Sequence, residues 1–138
     1  MAWSESGGIL AGEVGRVSCY FECESGTLWN PSNATAALFL GYASAMEDVI
    51  KVKSGFGGMV DDECQVDAGQ LADFCRGISS LISSGNNLVI ASLGWDLLVV
   101  ADVLLMRSGR VFVSEFSSEA LVVKLRSEAM AMSSRMPQ

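Results

Sequence analysis

The chain has 138 residues, of which half are apolar and 18% charged; 16 acidic side chains against 9 basic give a net charge of -7, and there is no histidine. This is one domain's worth of chain, with enough apolar content to bury a core. The counts exclude a basic groove for nucleic acid, whose phosphates need clustered cations. They also exclude a Ser-His-Asp triad, a Cys-His pair and any His-ligated metal centre within one chain.

Residues 1–15 carry no Lys or Arg before the short apolar pair Ile9-Leu10, so no secretory signal is expected. The stretch is rich in Ser and Gly and reads as a mobile tail, with Trp3 as its one large apolar residue. Residues 16–138 read as a single α+β domain. From Arg16 the pattern has period two: Val17, Cys19, Phe21 and Cys23 share one face, which predicts a strand with one buried side. The Glu24-Ser25-Gly26-Thr27 turn and the short run Leu28-Trp29 complete a hairpin.

Asn30-Pro31-Ser32-Asn33 ends the hairpin, because proline cannot continue a ladder and Ser32 or Asn33 can cap a helix. The helix is predicted to run to about Lys51, burying Leu38, Tyr42, Ala45, Met46 and Val49. Residues 53–66 read as a loop broken by Gly55, Gly57 and Gly58 and charged at Asp61-Asp62-Glu63. Asp67 and Gln70 form a capping-box pattern for a second helix, with Leu71, Phe74, Cys75, Ile78 and Ile82 as its buried stripe.

Residues 87–107 predict a third helix, apolar nearly all round and therefore central; a short strand over 88–91 is the competing reading. Leu88 to Met106 approaches the length of a membrane span. Asp96 and Asp102 would each cost about 2.5–3.5 kcal/mol at a bilayer centre, so a buried core helix is the preferred reading. Arg110 to Glu115 predicts a strand that pairs with the N-terminal hairpin. Ser117 then caps a last helix lined by Leu121, Leu125, Met132 and Met136, with a hairpin over the same residues as the alternative. The expected fold is thus α+β, a small antiparallel sheet packed on three to four helices, one central and fully apolar.

Four cysteines contain no CxxC pair, and Cys19 and Cys23 on one strand lie roughly 13 Å apart, beyond disulfide reach. Reduced thiols in a cytoplasmic protein are expected. Cys64, beside Asp62 and Glu63, makes a poor nucleophile. The glycines of residues 55–58 match no phosphate-binding motif, and the spacing of Asp61, Asp62, Glu63 and Asp67 is not an EF-hand, so neither cofactor nor metal is expected.

Three features remain as candidate sites. Trp29 and Asn30, with Tyr20, could form a recognition rim. The acidic residues Asp61, Asp62, Glu63 and Asp67 could meet a basic partner. Trp95, with Asp96 or Asp102 as acid or base, could line an apolar pocket; six helical positions turn about 240°, so the two carboxylates cannot act as a same-face pair. Met106, Met130, Met132 and Met136 could seal a homodimer.

The strings Tyr20-Phe21-Glu22, Leu28-Trp29-Asn30-Pro31-Ser32-Asn33 and Met59 to Asp67 resemble small actinomycete proteins described only as a domain of unknown function, over roughly residues 18 to 107. The resemblance implies a bacterial cytoplasmic origin and no particular activity. The expected function is therefore an acidic interaction protein that binds a basic protein partner, in an immunity-like, antitoxin-like or accessory role, without nucleic acid or membrane. The rival is a cofactor-independent binder or enzyme, cyclase-like or isomerase-like, with a buried Asp in an apolar pocket.

Overall fold

A computed structural model describes residues 18–138. The element order is β1 (Tyr20–Cys23), β2 (Gly26–Trp29), α1 (Asn33–Ile50), β3 (Phe56–Val60), β4 (Glu63–Val66), α2 (Ala68–Ser84), α3 (Leu88–Arg107) and α4 (Glu119–Ser133). The class is α+β, as the sequence pattern predicts. The sheet is mixed rather than antiparallel. Its strand order is β2-β1-β4-β3, with antiparallel pairs β1–β2 and β3–β4 joined by a parallel β1–β4 pair. Two hairpins are therefore laid side by side, and α1 is the crossover that lets β1 and β4 run parallel.

The β3–β4 pair comes from residues 53–66, where the sequence pattern predicts a loop. Asp61 and Asp62 both take left-handed backbone, with φ of 53° and 65°. That pair makes the tight two-residue turn whose twist suits a hairpin. Gly57 and Gly58 stand opposite Gln65 at a bulge, which hides the period-two pattern. The segment expected to supply a later strand, Arg110 to Glu115, joins no sheet. It lies over α2 instead, where the Glu115 N–H donates to Ser79 Oγ at 2.8 Å. The outer edge of β2 is already covered by the chain end: Asn30 N–H donates to the Pro137 carbonyl at 2.7 Å, and Gln138 Nε2 to the Thr27 carbonyl at 3.1 Å.

Helix starts follow the sequence closely. Ser32 Oγ accepts from Thr35 N–H, Asp67 Oδ1 from Gln70 N–H, and Asn87 Oδ1 from the N–H groups of Val89 and Ile90. The last helix is capped by Ser118, one position after the expected Ser117.

Of the face α1 was expected to bury, only Met46 is buried. Ala36, Phe39, Ala43 and Met46 point inward, while Leu38, Ala45 and Val49 are exposed and Tyr42 is half-buried. Both faces of this helix are apolar, and the aromatic contacts decide between them. Phe39 closes a cluster with Phe21, Trp29 and Phe56, with ring centroids 5.1–5.9 Å apart. Such a cluster outweighs what Leu38 and Val49 would bury.

The helical layer is centred on α3, which packs most extensively on α2 and then on α4. Leu97, Leu98, Val103, Leu104 and Leu105 are buried. The first two turns are not: Leu88 is 81% exposed, and Val89, Ile90 and Leu93 are also exposed. The helix is long and apolar enough to cross a membrane by length and composition, and half of that window is buried inside the fold.

Candidate functional site

The sequence-derived candidates do not come together in one place. Trp29 is 5% exposed and belongs to the aromatic core, so it forms no rim. Asn30 is half-buried beside it, with its Oδ1 buried and without a hydrogen-bond donor. Tyr20 is exposed on β1, its N–H donating to the Asp62 carbonyl, in parallel register with Glu63. Tyr20, Asp61, Asp62 and Glu63 thus gather at one end of the sheet. Asp67 is apart from them, engaged as the cap of α2. Among the described residues no cluster of three or more His, Cys, Asp or Glu could hold a metal ion.

The carboxylates of α3 separate as the helical rotation requires. Asp96 is exposed; its charge, after burial, raises the Tyr42 hydroxyl above its usual range. Asp102 is 0% exposed, and neither oxygen has a hydrogen-bond donor. Burial pushes its pKa up, and the Arg126 guanidinium pulls partly the other way. Asp102 in turn helps to raise the fully buried Cys75 thiol, after desolvation. Trp95 is a tie between helices: its Nε1 donates to Glu128 Oε1 at 2.7 Å, Phe116 stacks at 5.7 Å, and Lys124 Nζ sits 5.1 Å from the ring centre.

A cleft of about 650 Å³ on the surface of the described residues lies between the β1–β2 turn, Gly55 to Gly57, the start of α2 and Arg110. Clefts of about 480 and 300 Å³ lie at Arg76 and Glu115 and between α1 and β3. None of the three is lined by Asp96, Asp102, Trp29 or Trp95. The carboxylates proposed for acid–base chemistry therefore open onto none of them.

The cysteines offer no activated nucleophile. All four thiols are free; Cys19, Cys64 and Cys75 are buried and Cys23 is half-buried. The Cys64 pKa is raised to about 11. Burial is the main cause, followed by the neighbouring Cys19, rather than the adjacent acids of the chain.

What sequence reasoning missed is an apolar surface. Leu38, Tyr42, Ala45 and Val49 recur at helical spacing along the outer face of α1. That face adjoins the exposed first turns of α3, where the Tyr42 hydroxyl donates to the Leu93 carbonyl. Leu38 is 68% exposed and Leu93 half-exposed. Asp48 and Asp96, both exposed, flank the surface. The periodicity of α1 was the available signal, and it marked the apolar face correctly while assigning it to the core.

These features define an acidic α+β domain with two apolar helix surfaces turned outward and no assembled catalytic constellation among the described residues. The chain belongs to the DUF6086 family of unknown function, whose model matches residues 17–138. The match runs to the C-terminus, past the residue 107 limit of the resemblance seen in the sequence. No curated protein and no solved structure matches the chain.

Proposed function

We propose that this protein is a binding module for a protein partner, docking through the joined apolar face of α1 and the first turns of α3. The observation that carries this reading is the contact of the half-buried Tyr42 with the Leu93 carbonyl, which joins the α1 face bearing the exposed Leu38 and Val49 to the first turns of α3 bearing the exposed Leu88, Ile90 and Leu93. Large contiguous apolar patches with a polar rim are rare on free monomers and mark interaction surfaces. The rim charges favour a partner with an apolar ridge flanked by Lys or Arg, in keeping with the net charge of -7. An immunity-like, antitoxin-like or accessory role would each use such a surface. The four free thiols support a cytoplasmic setting. The rival reading, a small-molecule binder or enzyme built on Asp96 or Asp102, draws less support, because neither lines any of the three clefts described above.

The test compares the wild-type chain with Leu38→Glu/Leu93→Glu and with Asp61→Lys/Asp62→Lys as baits in lysate of the native cell at low salt. One stoichiometric partner, kept by the hairpin variant and lost by the helix variant with its circular dichroism unchanged, is the expected result. Capture that survives in the helix variant and fails in the hairpin variant would move the surface to the acidic turn and overturn the proposal.

A further inference from the structure

The two edges of the sheet are treated differently. At β2, the chain end and Arg107 occupy backbone groups: Arg107 Nη1 donates to the Leu28 carbonyl at 2.7 Å, and Pro137 and Gln138 bond on either side. At β3, no strand among the described residues pairs with the outer edge. Residues 57–60 are exposed along its whole outer length, and Val60 is 68% exposed. An open edge carrying apolar side chains is a template for another strand unless it is blunted. No Lys or Pro stands between Phe56 and Val60. The one irregularity is the Gly57–Gly58 bulge, and a Cβ placed on Gly58 would meet nothing within 4 Å. Glycines there let a second backbone approach closely.

The charges along this strand are ordered. Lys51 and Lys53 precede it, and Asp61 and Glu63 follow it. A parallel neighbour of the same sequence would put like charge on like. An antiparallel neighbour puts the acidic end of each chain beside the basic end of the other, and it does so twice about a two-fold axis. The same arrangement brings Val60 of one chain opposite Phe56 of the other. There the groove of about 300 Å³ between α1 and β3 opens, lined by Leu40, Phe56 and Met59 on its apolar side and by Ser44, Glu47 and Ser54 on its polar side.

We propose that β3 pairs antiparallel with β3 of a second copy about a two-fold axis near Gly58, forming an eight-stranded sheet across a homodimer. This interface is separate from the α1–α3 surface and leaves it free in each copy. It also differs from the dimer expected to be sealed by Met106, Met130, Met132 and Met136, of which Met136 is buried in the core.

The test is sedimentation equilibrium on the full chain. Wild type is expected to dimerise reversibly, with affinity falling as salt rises. Lys53→Glu alone and Asp61→Lys alone should each weaken the dimer about tenfold, since each reverses two cross-axis pairs. Mixing the two variants should restore dimer in part, because positions 53 and 61 are then again opposite in sign across the axis. A wild-type chain that stays monomeric at low salt overturns the proposal, as does a dimer broken by Leu38→Glu/Leu93→Glu and untouched by the charge variants. Amide exchange in the wild type provides a readout that does not depend on variant folding: exchange across 57–60 should slow as chain concentration rises, and indifference to concentration is a negative result.

Discussion

Asp102 is the residue whose environment is most at odds with its chemistry. It sits where α3 meets Cys75 of α2 and Arg126 of α4, sealed from water and with both oxygens lacking a donor. Its folded-state pKa is raised by burial, against an unfolded value of about 3.9. A raised folded pKa means that the folded chain holds its proton more tightly than the unfolded one. The stabilising share is complete below the unfolded pKa and is lost as pH rises through the folded value. Urea titrations of wild type and Asp102→Asn across that acid range should therefore diverge: the variant gains on wild type as pH rises, and the gap levels off above the folded pKa. A constant gap at all pH values would show that Asp102 has the same pKa in the folded and unfolded chain and would overturn this reading. The sequence placed an acid in an apolar helix but carried no sign of which turn would be sealed. Arg107 shows the same limit: a cation in the last turn of a helix suits its dipole, but here the guanidinium reaches the carbonyls of Leu28, Ser133 and Met136 and ties β2 to the chain end.

At the scale of elements, starts and stops were more legible than partners. Ser32, Asp67 and Asn87 announce helices because their side chains satisfy backbone donors a few residues away. Such signals are local. The β3–β4 hairpin was not legible, because its turn uses two aspartates at positive φ where Asn-Gly is the usual mark, and its first strand holds a glycine bulge. The unpaired segment at 110–115 has strand composition, but the edge it was expected to join is covered by residues 137 and 138. The hinge between α1 and β3 depends on one residue. Gly55 has φ +87°, its carbonyl accepts from Asp67 N–H at 2.8 Å, and a Cβ there would stand 2.5 Å from the Asp67 carbonyl oxygen. Backbone must move to relieve that contact. Gly55→Ala should cost about 1–3 kcal/mol in chemical denaturation and loosen the start of α2, read as faster amide exchange at residues 68–71. Gly58→Ala, where nothing within the chain lies in reach, is the control at concentrations that keep the chain monomeric, and there it should cost well under that.

At the scale of the molecule, α3 divides the structure into what holds it together and what it presents. Its second half is enclosed by α2 and α4, and its first turns stand out beside α1. Composition could not reveal this division, because the helix is apolar from end to end and burial depends on which neighbours arrive. The division makes a quantitative contrast between substitutions in one helix. Leu98→Ala and Leu104→Ala remove side chains that are 0% exposed and should each cost about 2–5 kcal/mol in urea denaturation. Leu88→Ser and Leu93→Ser remove side chains that water already reaches, and each should stay within about 0.5 kcal/mol of wild type. If the outer pair proved as costly as the inner pair, the first turns would be contributing to the stability of the fold, and the surface proposed for docking would not be free. If they are neutral while solubility at high concentration improves, apolar area has been kept at the surface without contributing to the fold, as a binding surface requires.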